Sequence, residues 1–429
     1  MTDPIIRSVK GMHDVLPPAS RAFARIEAEM RRVFSLYGFS ELRTPIVEET
    51  RLFSRGIGEE TDIVAKEMYT FTDRDGTSLT MRPEGTASAV RAYIEHGLAA
   101  TDPVARWYYT GPMFRHERQQ KGRYRQFHQI GAEIFGLADA AADAELIHML
   151  ADFTRGLGVT GVALGINSLG CPACRPAYRA ALSASLAGAK DRLCEDCLRR
   201  LDANPLRVLD CKKEACHAAT AGAPASADHL CEACAAHFMQ VRAGLDAFGD
   251  AYAVDPRMVR GLDYYNRTTF ELLATDPEVG SQNAVAGGGR YDALVEMLGG
   301  RPTPAVGFAI GLERLAAIAP FAREPAPPAV RVFVMAVGAG TLPPAVTLCA
   351  ALRARGIPAE LDGSEKGFKA KFKRADRSGA LFAAIIGEDE AKAGTCAIKA
   401  LGNRPLPSGE KQVAAPLDGA VPLLEGLLA

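Results

Sequence analysis

No stretch of this sequence approaches the ~20 consecutive apolar residues that a membrane-spanning helix requires. Met1 to Lys10 likewise lack the apolar core of a secretory signal. An excess of charge of either sign is absent too: 50 basic residues face 51 acidic ones, a formal net charge of −1. Any nucleic-acid partner must therefore be sought in local basic clusters, not in the balance of the whole chain. Internal repeats and long low-complexity tracts are missing. Outside residues 171–234 cysteine is nearly absent, with only Cys349 and Cys396. Together these features predict a soluble, cytoplasmic protein with no membrane partner, whose clustered cysteines serve a metal rather than disulfides.

At 429 residues, 48% of them hydrophobic and 24% charged, the chain has an ordinary globular composition and is long enough for two or three domains. Residues 19–37 read as an amphipathic helix: Phe23, Ile26, Met30, Val33, Phe34 and Tyr37 recur at steps of three and four, and Gly38 stops it. Phe39 to Arg43 looks strand-like. From about 61 to 135, Gly, Pro, aromatics and strand formers predict short antiparallel strands, and 139–157 returns to helical spacing. Residues 170–240 turn to Cys, Ala and charge. Strand-like text resumes near 251–259 and continues past Phe270. Pro325, Pro327 and Pro328 suggest a linker, and beyond it strand and helix alternate, as in a small α/β domain.

The densest chemistry lies in Thr80–Thr86, Gly111–Arg118 and Gly122–Gln129. Arg82, Arg115, Arg118, Arg123 and Arg125 occur there with aromatics between them. Guanidinium forks match phosphate oxygens and aromatic faces stack on bases, a combination suited to a nucleotide. An exposed charged hairpin would look similar, but Glu84, Gln129 and Glu133 add acceptors for an ammonium or imidazole group. Further on, Gly287-Gly288-Gly289 lets a backbone approach a ligand closely. That run lacks the Lys-Ser/Thr ending of a P-loop and does not follow G-x-G-x-x-G, so the common phosphate-loop folds are excluded.

The segments around Glu84, Arg115 to Gln129, Arg260-Gly261-Leu262-Asp263-Tyr264-Tyr265 and Gly307 to Arg314 resemble the histidyl-tRNA synthetase family in order and spacing. Gly11-Met12-His13-Asp14 and the run Gly38 to Val47 match its early segments, so the resemblance covers nearly the whole chain. Phe-Arg-x-Glu and Gly-x-Glu-Arg mark only the class II synthetases; the Arg260–Tyr265 segment marks the histidine branch. One departure is Gln119, where the family commonly has proline.

The resemblance implies an α+β catalytic domain with an antiparallel, six-stranded-type sheet flanked by helices. It further implies a Cys-rich helical insertion and a C-terminal α/β anticodon-binding domain. The expected boundaries are 1–169 and 241–324 for the catalytic domain, 170–240 for the insertion and 329–429 for the last domain. The implied substrates are L-histidine, ATP with Mg²⁺, and tRNA(His), and the implied assembly is a homodimer. By the same resemblance, Arg115 holds the α-phosphate, Phe127 stacks on adenine, and Arg123 and Arg314 serve the phosphates. Arg260 serves both the α-phosphate and the histidine carboxylate. Glu84, Thr86 and Gln129 take the amino group, while Glu133, Tyr264 and Tyr265 read the imidazole. Arg115, Arg260 and Glu84 are the expected catalytic set.

Two regions lie outside that core. Lys366, Lys369, Lys371, Lys373, Arg374 and Arg377 form a basic helix that by charge alone reads as a solvated face; the resemblance of its domain to an anticodon-binding domain makes Lys366, Lys369, Lys373 and Arg374 the expected tRNA contacts. The eight clustered cysteines read as two four-cysteine zinc frameworks: Cys171, Cys174, Cys194 and Cys197, then a looser set of Cys211, Cys216, Cys231 and Cys234. His217, His229 and His237 are possible substitute ligands, and the pairing stays open at this point. Rival readings are a histidine-sensing regulatory subunit, a class II synthetase for another amino acid, and a zinc-stabilised tRNA-binding protein without activity.

Overall fold

The structure, a computed structural model, describes residues 5–58, 61–118, 122–211, 213–259, 262, 264–276, 283–322, 330–402, 406 and 409–428. It divides into two compact units, Met1–Glu324 and Pro325–Ala429. The proline-rich linker expected at 325–328 lies outside the described residues. Among those described, no helix is long and apolar enough to cross a membrane.

Among the described residues, the first unit has eleven strands. In chain order they are β1 (Ser40–Glu41), β2 (Val47–Glu49), β3 (Tyr69–Thr72), β4 (Ser78–Met81), β5 (Ala105–Phe114) and β6 (Gln126–Phe135). Then follow β7 (Val162–Ser168), β8 (Ala253–Val254), β9 (Asn266–Ala274), β10 (Ala284–Arg290) and β11 (Ala305–Gly311). β2, β4 and β3 make a small sheet. The other eight form one large sheet in the order β1-β5-β6-β11-β10-β9-β7-β8. Its six central strands are antiparallel throughout; only the two-residue edge strands β1 and β8 pair in parallel. The expected six-stranded arrangement is thus the centre of an eight-stranded sheet.

Strand alternation assigns each face its task. On β6, Ile130, Ala132 and Ile134 point into a core shared with the helices Ala19–Leu36, Ala140–Gly156 and Leu312–Ile318, where Met30, Phe34, Leu146, Leu150, Phe153 and Leu312 are fully buried or nearly so. Gln129, Gly131, Glu133 and Phe135 necessarily face the other way, toward the helix Thr86–Glu95 and the tyrosines Tyr109, Tyr264, Tyr265 and Tyr291. The predicted helix over 19–37 runs from Ala19 to Leu36, and Gly38 ends it at φ +76°, donating its N–H to the Ser35 carbonyl. The strand expectation for 61–135 needs correction at Thr86–Glu95, which is helical. Alanine-rich spacing favours that helix, and the Glu84 carboxylate accepts from the first two N–H groups, of Thr86 and Ala87, at 2.8 Å each.

One buried ion pair ties the sheet to its helices. The Arg290 guanidinium on β10 donates from Nε to Asp143 at 3.0 Å, and His237 bonds the other Asp143 oxygen at 2.8 Å. Burial disfavours the Asp143 charge, yet His237 and Arg290 outweigh it and hold the carboxyl below its ordinary value. His237 is therefore engaged with Asp143 and belongs to neither cysteine group. It sits on the helix Glu232–Phe248, whose Phe238, Val241 and Leu245 join the core of the large sheet.

The second unit is a five-stranded mixed sheet of β12 (Val332–Val337), β13 (Ala359–Asp362), β14 (Phe382–Gly387), β15 (Thr395–Ala400) and β16 (Gln412–Pro416), in the order β13-β12-β14-β15-β16. β13, β12 and β14 are parallel, which requires the crossover helices Leu342–Ala354 and Phe368–Ser378. The antiparallel pair β15–β16 extends the strand–helix alternation seen in the sequence.

Candidate active site

A cleft opens on the polar face of the large sheet. It is lined by Glu84, Thr86, Arg115, Arg123, Phe127, Gln129, Tyr264, Tyr265 and Arg314, joined by Glu117 and Glu313. Nine of the sequence-predicted residues therefore meet in one place. Arg260, together with Gly261 and Asp263, lies outside the described residues.

At the inner end, Glu133 is fully buried and accepts three hydroxyl hydrogen bonds, from Thr86 Oγ1 at 2.8 Å, Tyr109 at 2.9 Å and Tyr291. Burial pushes its carboxyl up to about 8, against the opposing pull of those three hydroxyls, and the Glu84 charge pushes it further the same way. Glu133 does not itself line the cleft. It lies behind Thr86, the base of a hydrogen-bonded system that reaches the surface of the cavity. Tyr109 and Tyr291, which hydrogen-bond Glu133, are site residues the sequence reading missed. On β5 Tyr109 looks like core, and only the register with β6 brings its hydroxyl to Glu133, whereas Tyr291 lies just past β10 and reaches Glu133 from beyond β11.

Glycines make room for this cluster. A Cβ on Gly307, paired with Glu133 across β6 and β11, would sit 1.6 Å from Glu133 Oε2. At Gly85 and Gly131 it would sit 2.1 Å from the Tyr109 ring. The glycine run reads differently from the expectation. Gly287 borders the cleft, whereas a Cβ at Gly288 or Gly289 would meet strand neighbours: the Gly307 carbonyl at 2.2 Å and the Thr268 carbonyl at 2.5 Å.

Three buried polar atoms among those described on the cleft wall lack a hydrogen-bond partner; Glu117 Oε2 has the Arg123 guanidinium 3.1 Å away as an ion pair, whereas Gln129 Oε1 and the Tyr264 hydroxyl have none. Leaving such atoms unmatched costs about 1–3 kcal/mol each, so they favour a polar ligand. Burial, with the Tyr265, Glu84 and Glu133 charges nearby, keeps the Tyr264 hydroxyl well above its ordinary value and so neutral.

The outer end is cationic. Arg115 donates to the Pro83 carbonyl at 2.9 Å and lies 5.4 Å above the Phe127 ring. Arg314 donates to the carbonyls of Ala284 at 2.8 Å and Gly122 at 3.2 Å. Burial, and then Arg123 nearby, lowers the Arg314 pKa. Glu117 bonds Arg123 at 3.1 Å, and Glu313 accepts from the His128 N–H and ring, both at 2.9 Å. Arg82, one of the five clustered arginines, is instead a staple: it holds the carbonyls of Pro112 at 2.9 Å and Thr44 at 3.1 Å.

The eight cysteines form two groups, but not the two read in sequence order. Cys171, Cys174, Cys231 and Cys234 come together, and so do Cys194, Cys197, Cys211 and Cys216. The insertion leaves β7 and returns into the helix Glu232–Phe248, so its first and last Cys-x-x-Cys pairs meet while the middle ones nest inside. Within each group all sulfurs lie within 4.8 Å of one another. Close sulfur–sulfur approaches include 3.7 Å (Cys171–Cys174), 3.9 Å (Cys171–Cys231) and 4.0 Å (Cys194–Cys211). A tetrahedral Zn²⁺ with Zn–S bonds of ~2.3 Å needs sulfurs ~3.8 Å apart, so both groups fit. Backbone N–H groups also point at sulfur: Cys231 N–H at Cys174 and Cys194 N–H at Cys216. Burial opposes the Cys171 thiolate, but the amides of Cys174 and Ala173 and neighbouring thiols bring it down to about 6. The insertion also has more core than its composition suggests. Tyr178, Leu182, Leu186 and Val208 pack with Cys197, Cys211 and Cys216.

In the second unit Lys366, Lys369 and Lys373 are exposed. Lys371 is buried, its ammonium donating to the Ala336 carbonyl. Arg374 is held by Glu360 at 2.6 Å and Asp362 at 3.2 Å.

An antiparallel sheet that presents one arginine from a strand hairpin (Arg115) and another from a strand-to-helix turn (Arg314), with a buried polar pocket between them, defines the catalytic domain of a class II aminoacyl-tRNA synthetase. The family model described as histidyl-tRNA synthetase matches residues 11–315, and the anticodon binding domain model matches 331–425. The histidine–tRNA ligase of Geobacter metallireducens is 51% identical over 400 residues, covering 92% of this chain and 95% of that one. The one from Anaeromyxobacter dehalogenans is 53% identical over 418 residues, covering 96% and 100%. The crystal structure of apo S. aureus histidyl-tRNA synthetase aligns with a TM-score of 0.79 at 34% identity, covering 98% of this chain and 100% of that one. The chain belongs to the histidyl-tRNA synthetase family.

Proposed function

We propose that this chain is a histidine–tRNA ligase, and that the cleft is where histidine and ATP react. The observation that carries the reading is the pairing of unlike ends within one cavity. A buried acceptor and a phenol without partners (Gln129, Tyr264) face three arginines across a few residues of strand. Glu84, Thr86 and Gln129 take the amino group. Tyr264 and Tyr265 read the imidazole, with Glu133 acting from behind Thr86. Arg115 and Arg123 hold the phosphates, Phe127 stacks on adenine, and Arg314 reaches the γ-phosphate. Arg260, placed by its motif alone, completes the catalytic set with Arg115 and Glu84.

The histidine carboxylate attacks the α-phosphorus in line, forming the mixed anhydride as the α–β bond breaks and pyrophosphate leaves. The tRNA 3′-terminal ribose hydroxyl then attacks the acyl carbon, forming the ester and releasing AMP. No protein nucleophile is needed; positioning and charge stabilisation by the arginines carry the rate. Mg²⁺ accompanying ATP would screen the phosphate charge, and Glu117 and Glu313 are the hard oxygen donors on that side of the cleft.

The segments 1–169 and 241–324 serve as catalytic domain, 170–240 as insertion and 329–429 as anticodon-binding domain. Lys366, Lys369 and Lys373 meet tRNA phosphates, Arg374 joining them only by leaving its acids. The eight cysteines hold structural zinc. The enzyme acts as a cytoplasmic homodimer. Pyrophosphate exchange into ATP, run with each of the twenty amino acids, tests the reading. Exchange with histidine alone is expected. Exchange with another amino acid overturns the specificity, and none at all from protein that still binds histidine points to a regulatory subunit.

A further inference from the structure

The two cysteine groups differ in what surrounds them. Cys194, Cys197, Cys211 and Cys216 sit among the insertion's own leucines. Cys171, Cys174, Cys231 and Cys234 sit at its root, where the chain leaves β7 and comes back. There the backbone of 169–175 abuts the end of the tyrosine segment. Leu169 donates to the Arg267 carbonyl and Arg267 to the Gly170 carbonyl, both at 2.8 Å. Arg267 holds φ +50°, unusual for a side-chain-bearing residue. Gly170 is needed at φ +64°, since a Cβ there would lie 2.6 Å from the Cys174 Cβ. Arg175, the residue after Cys174, sends its guanidinium to the Tyr265 carbonyl.

From this we infer that the root cysteine site, holding Zn²⁺, positions the amino-acid pocket: it fixes the 171–175 turn, which fixes Arg175, which fixes Tyr265. The inference rests on reading the cleft as the histidine site and the cysteines as zinc ligands. The inner group, by contrast, stabilises only the insertion. Arg175 is a positioning residue, touching the backbone of Tyr265 rather than substrate. Without a metal, the turn keeps its own backbone bonds, from the Cys174 and Arg175 N–H groups to the Cys171 carbonyl, but only the Cys231 N–H on Cys174 Sγ and weak S–H contacts tie its sulfurs to Cys231 and Cys234, so Arg175 starts from a looser base.

The test uses the full chain purified without chelator. Zinc analysis should give two equivalents, one per group, and Co²⁺ exchange should give the thiolate charge-transfer bands of tetrahedral sulfur sites. The double variants Cys231→Ser/Cys234→Ser and Cys211→Ser/Cys216→Ser should each lose one equivalent. Only the former should raise the histidine Kd, by about tenfold as for other residues that orient ligands at one remove, with the ATP Kd unmoved. Arg175→Ala keeps every cysteine, so it tests the coupling even where the cysteine variants misfold. It should keep both zinc ions and show the same selective loss of histidine affinity, and Arg175→Lys should restore part of it. Histidine binding unchanged in Arg175→Ala overturns the coupling. Wild-type protein with neither zinc nor cobalt bands overturns the metal. Wild-type protein holding both zinc ions and binding no histidine overturns the pocket reading itself, a distinct result.

Discussion

The two ends of the cleft solve opposite problems. The inner end buries a carboxylate completely, surrounds it with three hydroxyls, and depends on glycines to leave it space. The outer end keeps Arg115 and Arg123 partly exposed and aims them through carbonyl and carboxylate contacts, Arg115 on Pro83 and Glu117 and Arg123 on Glu117. Shape, set by missing side chains, governs the first; charge, set by present ones, governs the second. Under the proposed reading, discrimination among amino acids falls to the inner end and rate to the outer, because polar atoms enclosed in protein punish the wrong ligand far more than solvated ones do.

The largest effect should come from the outer end. Arg115→Ala is expected to reduce kcat for pyrophosphate exchange by about 10³-fold, the scale of one lost charge-stabilising donor. The histidine KM should move little; a loss confined to KM would collapse the distinction between the ends. Next comes Gly307→Ala, whose Cβ would meet Glu133 Oε2 at 1.6 Å. Histidine KM should rise about 10²-fold with the ATP KM nearly constant, read from exchange kinetics at varied concentrations of each.

Glu133→Gln sharpens the contrast through pH. The folded chain holds the Glu133 proton up to about 8, while the unfolded chain releases it near the ordinary value of 4.5. Between those values the unfolded state binds fewer protons, so this residue makes stability fall as pH rises. The melting-temperature difference between variant and wild type should therefore grow from pH 4.5 to about 8 and level off above it. A flat difference would mean that the hydroxyls hold the carboxylate ionised. The smallest effect belongs to exposed charge far from the chemistry. Replacing Lys366, Lys369 and Lys373 together by alanine should raise the tRNA KM several-fold and flatten its salt dependence, leaving histidine-dependent exchange untouched. Equal damage to exchange would argue that these lysines support the fold instead.

Much of the outer end was legible in the sequence, because arginines interleaved with aromatics carry their chemistry at the surface of the text. Phe127, Gln129 and Glu133 were legible for a second reason: on a strand they share one face. The inner end was harder. Nothing near Gly307 in the sequence announces that its missing side chain makes space for Glu133, since that follows only from the register of β6 with β11. The cysteine pairing stayed open on similar grounds: neighbouring pairs in sequence are not neighbours once the insertion doubles back. The basic helix shows the converse, where a charge run hid two different fates. Lys371 turns inward to a carbonyl, and Arg374 is taken by acids on the preceding strand.

The placement of β6 has a consequence for the birth of the molecule. One of its edges is covered at once by β5, its hairpin partner, but the other waits for β11, near the end of the first unit. During synthesis the growing chain therefore carries an open strand edge through the emergence of the whole insertion and of β9 and β10. Such an edge invites pairing with other chains, and non-local closure is slow. The nascent first half, with Gln129 and Glu133 on that waiting strand, is where a chaperone would find most to hold.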